Sequence, residues 1–418
     1  MAQHPSGHPA ALGPVSSGLS EESIKQAAAK QRRARKHDVV TKPEVAATAE
    51  ASEIFAFSLL PKQVAKHLDR FVIGQREAKK VLGVALCDHF QHVRLSQEGN
   101  GAPFYQKQNI LLLGPTGVGK THLIRSAAEL IGVPFVKADA TKFSETGYVG
   151  SDVDDLVRDL VRKAGGDAGK AAHGIIYLDE ADKLATRGNM GGRDVSGRGV
   201  QTNLLKLMED GDVPLVSQND VTGQIQSAVA AMRGGGGGSP ETINTRHILF
   251  IVSGAFSGLD QIIKQRLQAT EPAAKLKRMS VDQLLALAST QDLINYGLEP
   301  EFIGRLPVRV SCHSLDTADL FEVLRRSESS LIHQYERAFG AYGIEAKFTD
   351  DGLRRLAEMA FTERTGARGL MTVCERVFRD LKFALPSTRI KSLEITGALV
   401  KDPKAELQRI LKASKGSR

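Results

Sequence analysis

The chain has 418 residues, 41% of them hydrophobic, which is enough for two or three domains with real cores. Its formal charge is +8, but most basic residues are interleaved with acidic ones, and no apolar run approaches a bilayer span, so no membrane partner is expected. Cys87, Cys312 and Cys374 are scattered with no pair at metal-ligand spacing, and fit buried thiols in a reducing compartment.

The first residues, "MAQHPSGHPAALGPVSSG", lack both a charged-then-apolar signal pattern and the early arginines of a transit peptide, so a cytoplasmic location is expected. Residues 1 to 53 are rich in Ala, Ser, Pro, Gly and charge, and are predicted to be disordered apart from a short helix-compatible stretch at 20 to 36. Two basic clusters, "KQRRARK" at 30 to 36 and the tail at 401 to 418, suit either phosphate contacts or soluble mobile ends. No aromatic-rich sheet or recognition helix accompanies them, so nucleic acid is not the expected partner.

From "SLLPKQVAKHLDRFVIGQREAKKVLGVAL" onward, apolar residues recur at helical spacing. Five short apolar runs then alternate with amphipathic helices: "NILLLG", "PFVKADA", "GIIYLDEAD", "HILFIVSGAF" and "RLPVRVSC". Runs that are apolar throughout suit a parallel sheet covered by helices on both faces, an α/β fold. This pattern assigns residues 54 to 314 to a large domain, with a glycine-rich flexible insert at 218 to 242. Residues 315 to 400 read as a small, mostly helical domain with one closing strand in "KSLEITGALV", and 401 to 418 as a basic tail.

Chemistry enters with "GPTGVGKT": Gly114, Pro115, Thr116, Gly117, Val118, Gly119, Lys120 and Thr121, followed by His122. It matches G-x-x-x-x-G-K-[ST] between a buried strand and a helix face of Ile124, Ala127, Ala128 and Ile131. Such a loop wraps backbone N–H groups around a polyphosphate, so ATP with Mg²⁺ is the expected ligand. Lys120 is expected at the β- and γ-phosphates and Thr121 at Mg²⁺. A later strand ends in Asp179 and Glu180, where phosphoryl transfer needs a metal-holding aspartate and a water-activating glutamate; the same residues also suit a helix N-cap. In "ETGYVGSD", Tyr148 and Val149 lie between glycines ahead of a helix face of Val153, Leu156, Val157, Leu160 and Val161, which Ser151 or Asp152 can cap. Taken alone, that tyrosine suits a core position as well as an exposed loop.

Together these segments resemble AAA+ ATPases of the ClpX type, with HslU as a second relative, from about Leu60 to Ser387. The resemblance implies a P-loop NTPase large domain followed by a small helical domain, assembled as a homohexameric ring that acts on polypeptides. In "FVIGQREAKK" it places Val72 and Ile73 against adenine; in "ILFIVSGAF" it makes Ser253 the sensor-1 candidate. In "EFIGRLPV" it makes Arg305 the arginine finger, and in "TGARGL" it makes Arg368 the sensor-2 residue. Phosphoryl transfer benefits from fixed guanidinium groups, although either arginine alone also suits an ordinary surface. Tyr148 and Val149 become a channel-facing grip, and "GRDVSGRGVQ" a second pore loop containing Arg193.

The departures from that family are equally specific. The N-terminal segment has no cysteine, so no zinc site is expected there. The basic substrate-selecting loop is replaced by the insert, where Arg233 is the only basic residue, and HslU's helical insertion is absent. The stretch from Gln265 to Gln291 holds no Ile/Leu-Gly-Phe tripeptide for docking a ClpP peptidase; it reads as a charged linker, then a helix with Val281, Leu284, Leu285 and Ala288 on one face. The expected function is an ATP-driven protein unfoldase that works without ClpP, the alternative being the ATP-binding subunit of a Clp-type protease. A nucleic-acid motor would have only Arg193 and Arg198 as its hint, and an inactive scaffold would lack a carboxylate or finger that is present here.

Overall fold

The computed structural model describes residues 55–102, 105–143, 152–185, 196–215, 242–328 and 330–416. The N-terminal segment, Tyr148, Val149, Arg193 and nearly all of the 218–242 insert lie outside the described residues.

The chain begins with α1 (Pro61–Phe71), whose first turn is closed by Gln63 accepting from the Leu60 N–H, and α2 (Arg76–Gln97). Strand β1 (Ile110–Leu113) runs into α3 (Lys120–Ile131), then β2 (Phe135–Asp139). Helix α4 (Asp155–Lys163) buries Leu156, Val157 and Leu160. Asp152 does not cap it: the N-cap is Asp154, and Asp152 accepts from the Asp154 N–H in the preceding turn, while Ser151 lies outside the described residues. Strand β3 (Ile175–Asp179) follows, then α5 (Ser196–Met208). A two-stranded antiparallel pair, β4 (Asp212–Pro214) and β5 (Thr242–Asn244), flanks the insert. Strand β6 (Leu249–Gly254) leads into four short helices, α6 (Leu259–Leu267), α7 (Ala273–Arg278), α8 (Val281–Leu285) and α9 (Thr290–Tyr296). Helix α10 (Pro300–Gly304) and β7 (Val308–Ser311) close this part.

The five long strands form one parallel sheet in the order β2-β3-β6-β1-β7. Alternate residues serve opposite faces, as strand geometry requires. Ile110, Leu112, Ile175, Tyr177, Leu249 and Ile251 join one core, while Leu111, Leu113, Ile176, Leu178, Phe250 and Val252 join the other. Both faces are therefore apolar, which explains the uninterrupted hydrophobic runs.

The C-terminal region contains α11 (Thr317–Arg326), α12 (Leu331–Gly340), α13 (Asp350–Thr362) and α14 (Arg368–Ala384). The predicted closing strand is β9 (Ser392–Ile395), and it pairs in parallel with a strand missed in the sequence, β8 (Glu345–Phe348). The segment read as a basic tail instead holds α16 (Pro403–Gly416), after α15 (Gly397–Lys401). Leu407, Ile410 and Leu411 pack α16 partly against the core, so its lysines and arginine sit on an amphipathic helix.

The stretch from Gln265 to Gln291 is also corrected. It is not a charged linker, because α7 and α8 cross it and polar contacts staple it down. Arg266 donates twice to the fully buried Asp292, at 2.8 Å each, and once to the Leu287 carbonyl. Asp282 accepts from the Ser314 N–H and hydroxyl. Leu284 and Leu285 are buried as expected, but Val281 is 53% exposed.

Four histidines meet where α2 passes the starts of β3 and β6. The fully buried His89 bonds the His247 carbonyl at 3.0 Å, and His92 stacks on Tyr105. The His247 ring lies 6.0 Å from His92 and 6.2 Å from His173. Burial, reinforced by Lys107 and the neighbouring imidazoles, pushes His89 down to about 3 and His247 to about 4. Both lie below the ordinary 6.5, so the unfolded chain takes up the proton first. Stability is full above that value and declines as pH falls from 6.5 towards the folded values, by up to about 1.4 kcal/mol per pH unit for each group. We predict that His89→Gln flattens the loss of thermal stability between pH 6.5 and pH 5, read by thermal melts across that range. An unchanged slope would refute this account.

Candidate nucleotide site

A cavity of about 620 Å³ opens at the C-terminal ends of β1 and β3, the edge where parallel α/β sheets bind ligands. Thr116, Gly117, Val118, Gly119, Lys120, Thr121 and His122 form its floor. Phe71, Val72 and Ile73 line an apolar side, faced by Val323, Leu331, Leu370 and Met371 from the C-terminal region. Asp179, Glu180 and Arg368 complete it. Gly114 and Pro115 lie just beneath, as carbonyl acceptors for Lys120.

The loop is shaped by its glycines where other chain comes close. Ala367 donates its N–H to the Gly117 carbonyl at 2.8 Å. A Cβ on Gly117 would meet the Thr365 carbonyl at 2.1 Å, and one on Gly366 would meet the Gly117 carbonyl at 2.7 Å. The 365–367 turn thus rests backbone to backbone on the phosphate loop and sets Arg368 at the first residue of α14, on the cavity wall.

Lys120 is buried, and its ammonium donates to the Gly114 and Pro115 carbonyls at 2.6 and 2.9 Å. Burial holds its pKa below the ordinary lysine value, with Arg368 adding repulsion, although nearby Asp179 and Asp182 act the other way. A cation buried on neutral carbonyls, at the start of a helix, is well placed to exchange them for phosphate oxygens.

Asp179 is the most connected group in the site. Ser253 donates to it at 2.8 Å, Lys137 at 2.9 Å and Thr121 at 3.3 Å. Tyr177 bonds the Ser253 hydroxyl at 2.6 Å. Burial alone would raise the Asp179 carboxyl, but the bonds from Lys137 and Ser253 outweigh it and hold it below the usual range. Ser253 is fully buried and meets Asp179, so any influence on nucleotide is exerted through that carboxylate. β6 lies between β1 and β3, so the phosphate loop and Asp179 are not on neighbouring strands, and β6 supplies the serine between them.

Glu180 is exposed, lines the cavity and adopts a left-handed backbone with φ of 57°. Non-glycine residues hold that conformation where a turn or functional site demands it. It is also the N-cap residue of a 3-10 turn, Ala181–Leu184, but its side chain makes no capping bond. The segment holding Val72 and Ile73 is locked by Gln75, whose amide exchanges two hydrogen bonds with the His313 backbone at 2.8 and 2.9 Å. Lys79 anchors the Val72 carbonyl at 2.6 Å. Lys137, Tyr177, Gln75 and Lys79 were not singled out in the sequence, since nothing in local spacing distinguishes them.

Arg305 does not join this cavity. It follows α10, its carbonyl accepts from Asn109 at the start of β1, and its guanidinium pairs with Glu209 at 2.5 Å. The phosphate loop follows the opposite end of β1, about 13 Å away along a four-residue strand.

The Thr121 hydroxyl and the Asp179 carboxylate are hard oxygen donors converging from loop and strand, a set that fits Mg²⁺. Together with a cradle that a Cβ at Gly117 would disrupt, the residues present fit a magnesium nucleotide. Bound there, Mg²⁺ would neutralise charge on the β- and γ-phosphates. We predict that Lys120→Ala weakens nucleotide binding at least tenfold, whereas Glu180→Gln still binds ATP and loses turnover by about two orders of magnitude or more. Equilibrium binding and steady-state phosphate release separate the two effects; wild-type turnover in Glu180→Gln would remove that residue from the role.

Residues 105–309 match the family model described as "AAA domain (Cdc48 subfamily)". The chain is 39% identical over 342 residues to the ATP-dependent Clp protease ATP-binding subunit ClpX of Borrelia duttonii, covering 80% of this chain and 77% of that protein. It is 38% identical to ClpX 3 of Methylococcus capsulatus, over 78% of this chain and 77% of that one. The ClpX of Azotobacter vinelandii is likewise 38% identical, over 78% and 74%. An enzyme of this kind uses nucleotide and Mg²⁺, in agreement with the donors gathered at the cavity. With the parallel sheet, the phosphate loop and the helical C-terminal region in place, the chain belongs to the ClpX family and is an AAA+ ATPase.

Proposed function

We propose that this protein hydrolyses ATP in a homohexameric ring and uses the cycle to unfold polypeptides and draw them through a central pore. One arrangement carries the reading: the phosphate loop, Asp179, Glu180 and Arg368 share a cavity between the sheet and the C-terminal helices, while Arg305 stands at the other end of β1. Lys120 would bind the β- and γ-phosphates, Thr121 and Asp179 would hold Mg²⁺, and Glu180 would orient the attacking water. Val72 and Ile73 would pack the adenine, and Arg368 would sense the γ-phosphate from the C-terminal side. Arg305, too distant to serve its own cavity, would act on a neighbour's. Nucleotide bound between two regions would couple their relative position to hydrolysis, and Tyr148, Val149 and Arg193 would transmit that motion to the client. The protein would work in the cytoplasm.

A second reading is favoured by the relatives, which are named as ATP-binding subunits of a Clp protease. Against it stands the stretch from Gln265 to Gln291, where helices and the Arg266–Asp292 pair hold the chain down and no Ile/Leu-Gly-Phe anchor occurs. We therefore favour remodelling without hand-over to a peptidase.

Three measurements test these readings. Mixing inactive Arg305→Ala with inactive Glu180→Gln subunits should restore part of the ATPase activity, because some sites then pair an intact glutamate with a neighbour's arginine. Tyr148→Ala should keep basal ATPase within about twofold and abolish unfolding of a tagged substrate. Activity confined to monomers at all concentrations would defeat the ring. For the peptidase question, a fluorescent substrate should stay undegraded when the protein is combined with a ClpP peptidase from the same cell; processive ATP-dependent degradation would establish the second reading instead.

A further inference from the structure

Lys137 is the third residue of β2, in register with Tyr177 on β3. Its ammonium lies 2.9 Å from Asp179 Oδ2 and 3.5 Å from Thr121 Oγ1. Those two oxygens are themselves 3.3 Å apart. The lysine therefore caps the same pair of oxygens assigned above to Mg²⁺. It is a built contact, since the Asp179 side chain is only 17% exposed and Lys137 reaches it across a strand pair from a half-covered position.

The chemistry of the site makes this placement consequential. A triphosphate approaching the loop meets the Asp179 carboxylate, and two anions brought together in a partly buried site repel strongly unless a cation lies between them. When Mg²⁺ accompanies the nucleotide it is that cation. Before it arrives, the ammonium neutralises the carboxylate, and a lysine tether lets it swing aside, because its four-carbon stem is flexible and its charge is a point rather than a fork. Ammonium and metal repel each other, so full occupancy by one disfavours the other.

We propose that Lys137 is a positioning residue, a tethered counter-cation that holds Asp179 in the nucleotide-free site, supports metal-free nucleotide binding and yields its place to Mg²⁺. This rests on reading the cavity as a magnesium–nucleotide site. The lysine would reduce how strongly nucleotide affinity depends on the metal, letting the protein retain nucleotide when the metal has left.

The test is direct binding of fluorescently labelled ADP to the full chain, in EDTA and across a Mg²⁺ titration. In Lys137→Met, affinity in EDTA should fall about tenfold, while affinity at saturating Mg²⁺ stays equal or tightens, so the ratio of the two grows about tenfold. The Mg²⁺ concentration for half-maximal binding should drop. Lys137→Arg, which keeps the charge, should retain most of the wild-type ratio. In an Asp179→Asn background the Lys137→Met change should leave the ratio unaltered, because the carboxylate it serves is gone. A purely structural lysine would shift both affinities together, and an unchanged ratio in Lys137→Met would overturn the proposal. If wild type binds no nucleotide with or without Mg²⁺, the site reading itself fails and this inference falls with it.

Discussion

The contact between the phosphate loop and the 365–367 turn is the constraint on which the site depends. Two glycine backbones, Gly117 and Gly366, approach so closely that neither position has room for a Cβ, and one hydrogen bond, Ala367 N–H to Gly117 carbonyl, fixes their register. The contact forms the cavity by placing C-terminal helices over a loop that would otherwise face water. It also ties the loop directly to the first turn of α14, where Arg368 stands, and a backbone contact would pass on a movement that side chains would cushion.

A second layer of control is electrostatic and converges on Asp179. Three strands contribute to it: β3 carries the carboxylate, β6 the serine that bonds it and β2 the lysine that neutralises it. The helix after the loop adds Thr121. These donors together hold the carboxyl below its usual range against its burial, as a ligand to the proposed divalent cation would need. On the opposite side of the sheet edge, Asn109 gathers Met208, Arg305 and Phe250 through one side-chain amide, tying the start of β1, the end of α5, Arg305 and β6 into one unit. The Glu209–Arg305 pair extends that unit, so the arginine proposed to serve a neighbouring subunit sits on a rigid part of its own.

The region after β6 shows how one stretch of sequence supports two descriptions. Gln265 to Gln291 is charged and lacks long apolar periodicity, which suits a linker. Its order comes from partners far along the chain: Asp292 receives Arg266, and Asp282 receives Ser314. Short helices whose stability comes from such distant contacts leave little trace in a local window. The same holds for β8, four residues long and half exposed, which pairs with β9 across a separation of more than forty residues, and for the end of the chain, where three apolar side chains suffice to seat a basic helix.

The sequence by itself determined the local chemistry: the glycine-rich loop between a buried strand and a helix, the strand ending in Asp179 and Glu180, the five apolar runs and the family resemblance that named Val72, Ile73, Ser253, Arg305 and Arg368. These are legible because backbone conformation at a glycine loop, alternation along a strand and periodicity along a helix are short-range properties. Only the tertiary structure decided that β6 separates β1 from β3, that Ser253 and Lys137 meet on one carboxylate, that Gly366 rests on Gly117 and that Arg305 lies at the far end of β1. Strand order and cross-chain contacts are set by how crossover connections pack on a twisted sheet, and residues such as Lys137 and Gln75 acquire their roles from neighbours more than thirty positions away. No window of sequence contains both partners of such a contact, and so the chemistry was readable residue by residue while its assembly into one site was not.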